Sequence, residues 1–174
     1  MKKYINILIP TLALFFLGLN AFADSEIQKV EYLSNSIMVK EGKYIRLLGG
    51  SYWILTLPSL ALVTDDVIIV LQDVVLEDST KVKIAVFYID GYEILAKHVD
   101  GQYVTKSGYL TTVIQSLGDG AVLKLADGSL LSIPKYDQFY TGWWLPPYKV
   151  LLTNDKMYLY NLKKGKRVWS ELIN

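Results

Sequence analysis

Cysteine is absent from the 174 residues. The chain therefore holds no disulfide, no thiolate metal site and no lipid anchor on an N-terminal Cys. Histidine occurs once, at His98, which excludes a zinc site built on several imidazoles. As a lone general base His98 would need a nucleophile and an orienting carboxylate that no motif supplies, so it reads as a half-exposed strand or turn residue. Charge of one sign is also lacking. Lys+Arg 18 against Asp+Glu 17 leaves a net +1, no field with which to gather nucleic acid or anionic lipid. With 12 glycines and 5 prolines the chain is not fibrous, and with 52% hydrophobic residues it is not disordered. No phosphate-cradling glycine loop, dinucleotide fingerprint or alternating acidic calcium loop is present, so no cofactor and no metal is expected.

What is there begins with an address. Lys2 and Lys3, an apolar stretch from Ile5 to Leu19, and Ala21-Phe22-Ala23 ahead of Asp24 follow the order of a secretory signal peptide. The stretch is short of the ~20 residues that span a bilayer, so cleavage is expected, and export to the periplasm or beyond. Residues 1–23 would leave as the signal peptide. A second apolar segment, Trp53 to Leu71, contains Pro58 and Asp65-Asp66, which mid-bilayer placement would penalise. It reads as two strands, Tyr52 to Leu57 and Val67 to Leu71, joined by a loop.

Strand periodicity runs through the rest. Ile45-Arg46-Leu47, Val82 to Val86 and Leu123-Lys124-Leu125 alternate apolar with other residues. Between such runs lie turn pairs: Gly49-Gly50, Asp90-Gly91, Asp100-Gly101, Asp127-Gly128 and Lys164-Gly165. No 11-residue stretch past the signal peptide has helical periodicity, and the expected class is all-β.

Sliding the chain along itself until Gly42 meets Gly120 lays Gly42 to Leu55 on Gly120 to Ile133. Gly42/Gly120, Leu47/Leu125, Gly50/Gly128 and Ser51/Ser129 are then identical. In both copies a hairpin is followed by a loop, a β-branched strand (Val67 to Leu71, Lys149 to Thr153) and a closing hairpin. The loop Pro134 to Tyr148 is the longer one. The order implies a duplication, with copies at 24–101 and 102–174, each of five short strands in a small SH3-like barrel. Each copy alone would be marginal, so the two are expected to pack together. Over Lys40 to Leu71 and Val113 to Val168 the pattern resembles small exported bacterial proteins of uncharacterised function with tandem SH3-like barrels. That resemblance implies a fold and an envelope location, and no activity.

Chemistry is sparse. Asp65, Asp66 and Asp137 fall in the middle loops and are the only carboxylates placed for glycoside hydrolysis. Ser129, in Asp127-Gly128-Ser129-Leu130-Leu131, lacks the second glycine of a nucleophile elbow and reads as a turn residue. Lys163-Lys164-Gly165-Lys166-Arg167 is the one basic run and reads as a solvated turn. An eight-stranded outer-membrane barrel needs strands of ~9–11 residues, longer than those expected here. The segment from Tyr136 to Tyr148 exceeds structural need, with Tyr136, Phe139, Tyr140, Trp143, Trp144 and Tyr148 in 13 residues. Its rings either plug the barrel end or form a contact surface for a protein, peptide or glycan. Adjacent Trp143 and Trp144, on extended backbone, would point one in and one out. The expected function is a non-enzymatic binding module of the envelope. The alternatives are an inhibitor or effector acting on another enzyme, and a hydrolase using the loop carboxylates. The mature chain should start at Asp24, and N-terminal sequencing of exported protein beginning at Met1 would refute this.

Overall fold

In the computed structural model the described residues are 27–59, 63, 65–75, 79–89, 91–155 and 157–173; the expected signal peptide lies outside them. Strand makes up 62% of the structure, far above the roughly 20–25% of an average domain, and the chain is all-β with one short helix. The strands are β1 (Gln28–Glu41), β2 (Tyr44–Leu47), β3 (Tyr52–Leu55), β4 (Asp66–Val75), β5 (Lys81–Ile89), β6 (Tyr92–Asp100), β7 (Lys106–Leu117), β8 (Val122–Leu125), β9 (Leu130–Ser132), β10 (Tyr148–Thr153), β11 (Tyr158–Asn161), β12 (Lys166–Trp169) and β13 (Glu171–Ile173). The helix, α1, spans Lys135–Thr141.

All the pairings are antiparallel, and the first six strands close on themselves. β1 pairs β2, β2 pairs β3, β3 pairs β6, β6 pairs β5, β5 pairs β4, and β4 returns to β1. Closure removes the free edges that an open sheet would expose. Only β1 makes this possible. Its 14 residues pair with β4 as far as Ser36 and, from Ile37 onward and across an irregularity between Ile37 and Val39, with β2. Such a bulge turns the strand so that one chain can serve two neighbours. The interior is filled by Ile37, Leu47, Trp53, Leu55, Ile69 and Phe87, all essentially buried. Five strands per half were expected; the first half has six, because β1 precedes the first expected hairpin.

Past residue 105 the same kind of pairings recur. β7 pairs β8 with an irregularity between Val113 and Gln115, β8 pairs β9, and β9 pairs β13. On its other side β7 pairs β10, β10 pairs β11, and β11 pairs β12. A second core, including Val113, Leu123, Leu131, Trp144, Val150 and Leu152, lies within these strands.

The halves meet along β1 and β7, which pair from Gln28↔Leu110 to Tyr32↔Lys106. Gly108 sits opposite Val30. A Cβ there would lie 2.9 Å from the Leu152 carbonyl oxygen and 3.2 Å from the Tyr32 ring, so the close crossing requires glycine. Over it lies a third cluster drawn from both halves: Val30, Tyr32, Val70, Val86 and Tyr88 with Leu151 and Leu162. The Tyr32 and Tyr160 rings approach to 6.2 Å. Lys149 reaches Glu93 at 3.0 Å, but both side chains are nearly half exposed, so this bridge adds little. Apolar burial joins the halves.

Burial pushes the Tyr32 hydroxyl from 10.0 up to about 12, helped by the nearby Tyr160 and Asp155. A raised folded value means that its contribution is complete below the unfolded value and lost as pH climbs through the folded one. The expected outcome is cooperative unfolding of the whole chain at neutral pH, and destabilisation between pH 10 and 12 that is smaller in Tyr32→Phe. Urea melts followed in each half by a separate tryptophan would check this. Two separated transitions, or fragments 24–101 and 102–174 that each match the parent's stability, would refute it.

Candidate functional site

The segment expected to be loop contains α1, seven residues long. Pro134 precedes it, and the amides of Asp137 and Gln138 donate to the Pro134 carbonyl. Proline suits this position, since the first turn's amides have no helical partner to lose. At the other end Gly142 donates to Gln138, and the amides of Trp143 and Trp144 donate to Tyr140 and Thr141, so the helical winding carries past its formal end.

One face of this turn is bolted to the strands by polar side chains. Asp137 accepts a hydrogen bond from the Trp169 amide at 2.7 Å. Gln138 donates to the Ile133 carbonyl at 2.8 Å, and the buried Thr141 hydroxyl donates to the Gly120 carbonyl at 2.8 Å. The backbone of Gly120 approaches so closely that a Cβ would stand 2.4 Å from the Gly142 nitrogen. Trp144 completes this face, 4% exposed, its ring edge-on to Tyr148 at 5.7 Å.

The other face carries Tyr136, Phe139, Tyr140 and Trp143, spaced i, i+3, i+4, i+7, the spacing of one helical stripe. Phe139 and Trp143 are 73% and 76% exposed, and Tyr136 is similarly open. Phe139 and Tyr140 contact each other edge-on at 5.6 Å, and Leu145 beyond them is 84% exposed. The six aromatics thus divide. Four form an outward patch. Trp144 and Tyr148 belong to the core, which corrects their assignment to a contact surface. One tryptophan points in and one out, as expected, but on a helical turn rather than extended backbone.

Tyr148 has a buried hydroxyl with no hydrogen-bond partner among the described residues. Desolvation raises its pKa, so it stays a neutral phenol.

The remaining candidates make the following contacts. Asp137 anchors α1 through the Trp169 amide. The Ser36 hydroxyl donates to Asp66 at 2.6 Å. Ser129 bonds Asp127 through its amide and its hydroxyl, closing a turn. His98 lies on β6, half-buried, its ring between Trp53 at 4.9 Å and Tyr103 at 4.8 Å. In the basic run, Asn161 accepts from the amides of Lys163 and Lys164, and the Arg167 guanidinium lies 4.6 Å above the Tyr158 ring. Among the described residues no cluster of three metal-ligating side chains forms, and no helix is long and apolar enough to cross a membrane. Comparison of the chain with family models, with curated proteins and with solved structures finds no match.

Burial separates the variants. Trp144→Ala should cost about 3–5 kcal/mol, whereas Trp143→Ala should stay within about 0.5 kcal/mol of the parent. Tyr148→Phe removes an unsatisfied buried hydroxyl and should be neutral or stabilising. Gly120→Ala should destabilise and release α1, since the obstructing atoms are backbone. Denaturant melts of the four variants read all of this, and a severe loss in Trp143→Ala would place its ring in the core.

Proposed function

We propose that the protein is an exported, non-enzymatic binding module built from two copies of one barrel, docking a partner protein through the aromatic face of α1. Export is inferred from Lys2, Lys3, the apolar stretch and Ala21-Phe22-Ala23.

Register supports the two copies. Tyr44↔Ile54, Ile45↔Trp53 and Arg46↔Tyr52 on β2/β3 recur, under the offset that carries Gly42 to Gly120, as Val122↔Ser132, Leu123↔Leu131 and Lys124↔Leu130 on β8/β9. The turn bond from the Leu47 amide to the Ser51 carbonyl, 2.9 Å, recurs from Leu125 to Ser129 at 2.9 Å. β12 and β13, split at Ser170, take the two pairings that β6 makes alone.

The inverted polarity of α1 carries the functional reading. A surface helix ordinarily turns apolar residues inward and polar ones out; here Asp137, Gln138 and Thr141 hold the inside, and four aromatics face water. Exposed rings contribute little to folding, and such a patch on a small protein marks an interaction surface. Phe139 and Leu145 add wholly apolar area to the patch, which favours an apolar groove of a protein as the complementary surface.

The test immobilises the mature protein and the Phe139→Ala/Trp143→Ala variant over envelope extract, then purifies what is retained and titrates it against both. Retained affinity should fall about 30-fold or more in the variant, the loss expected if even one of the two rings is a hot-spot aromatic worth ~2 kcal/mol. Equal affinity for the two, with unchanged melts, would overturn the proposal.

A further inference from the structure

A second surface feature lies on the first barrel. On the outer face of β1, β2 and β3 a groove of about 260 Å³ is lined by Val39, Glu41, Tyr44, Ile45, Arg46 and Tyr52. Its register is set by the ladder: Arg46 stands opposite Val39 on one side and Tyr52 on the other, and Tyr44 opposite Glu41. The Arg46 guanidinium lies over the Tyr52 ring, 5.2 Å from its centre, which holds the planar fork in one orientation.

Two charges in this groove are unspent. The Nε of Arg46 is enclosed by protein and has no hydrogen-bond partner among the described residues, which leaves the terminal nitrogens of the guanidinium to meet a ligand in the groove. Ion pairs among the described residues join Lys83 to Glu31 and Lys149 to Glu93. Neither Arg46 nor Glu41 enters one, although both line the same groove. The barrel does not require this set. The corresponding positions of the second ladder hold Val122, Lys124 and Leu130, without the rings or the fork.

We infer that this groove binds a small amino-acid-type zwitterion, its carboxylate on the two terminal nitrogens of Arg46, its ammonium toward Glu41, and its side chain against Tyr44 and Tyr52. The guanidinium matches a carboxylate in-plane. Glu41 opposes a bare anion and favours a ligand that carries its own positive charge. The volume is below the roughly 300–1,000 Å³ of drug-sized pockets and suits a single residue or a peptide end.

The experiment is a proton–nitrogen NMR titration of the mature protein with leucine, N-acetylleucine, leucinamide and inorganic phosphate at millimolar concentration, following the Arg46 Nε–H and the β2 and β3 amides. Leucine should shift them saturably and bind about tenfold tighter than N-acetylleucine, leucinamide or phosphate. Arg46→Lys should lose leucine binding with an unchanged melt, and Glu41→Gln should move the preference to N-acetylleucine. If Arg46→Lys fails to fold, the Glu41→Gln preference alone decides. No saturable shift with leucine, or phosphate binding as tightly as leucine, would overturn the inference.

Discussion

The antiparallel contact of β1 with β7 is the constraint on which the rest of the molecule depends. β1 closes the first ring by pairing β2 and β4, and the same strand then pairs β7, which in turn pairs β8 and β10. Loss of either first strand opens that half's own core and, with it, the cluster the two halves share. A domain of about 75 residues buries too little surface to be secure alone, and no disulfide compensates in a chain without cysteine. The cluster of Val30, Tyr32, Val70, Tyr88 and Leu151 supplies apolar burial that neither half has by itself, roughly 25 cal/mol for each Å² withdrawn from water.

The geometry of that contact bears on the proposed duplication. At the matching irregularities of β1 and β7, Ile37 corresponds to Val113, and the same step along the chain carries Glu31 onto Ser107, its own pairing partner. Each of the two central residues therefore faces its own counterpart, which is the signature of an isologous, two-fold contact. Under the proposed reading the present chain is a pair of like barrels that first met as two copies and are now covalently joined. Joining them removes the concentration dependence of a dimer and lets the two surfaces diverge.

The parts of the fold that were legible are those where backbone chemistry is local. Gly50 and Gly128 adopt φ of 91° and 90°, a conformation that glycine accepts without strain, and alternating strands lie on either side of each turn. β1 was missed for a physical reason. Its burial changes phase along its length, with Val30, Tyr32, Leu33 and Ile37 buried, because three different strands pair with it and it bends between them. No single period of two can describe such a strand. α1 was missed because it is short and because its inward face is polar. The aromatic stripe was visible as composition, yet only the hydrogen bonds of Asp137, Gln138 and Thr141 decide which rings face out. The groove at Arg46 had no signal in sequence at all, since a cation over a tyrosine across two strands is a matter of register.

Where the two halves differ is where function would be sought. The ladder positions that carry Tyr44, Arg46 and Tyr52 in the first half carry Val122, Lys124 and Leu130 in the second. Conversely, the second half's middle loop holds six aromatics between Tyr136 and Tyr148, while the first half's, Thr56 to Asp65, contains none. Several residues that fill the two cores stay alike in kind: Ile45 and Leu123, Leu47 and Leu125, Leu55 and Ile133 are all buried, although buried Trp53 stands where the second half has Leu131. Packing favours volume-conserving exchange at such positions, whereas outward positions are free of that restraint. Under the proposed duplication, one scaffold with a similar interior in each half presents two unlike surfaces, one apolar and protruding, one charged and recessed. The outward differences, and not the shared core, are what the proposed partner and the proposed zwitterion would read.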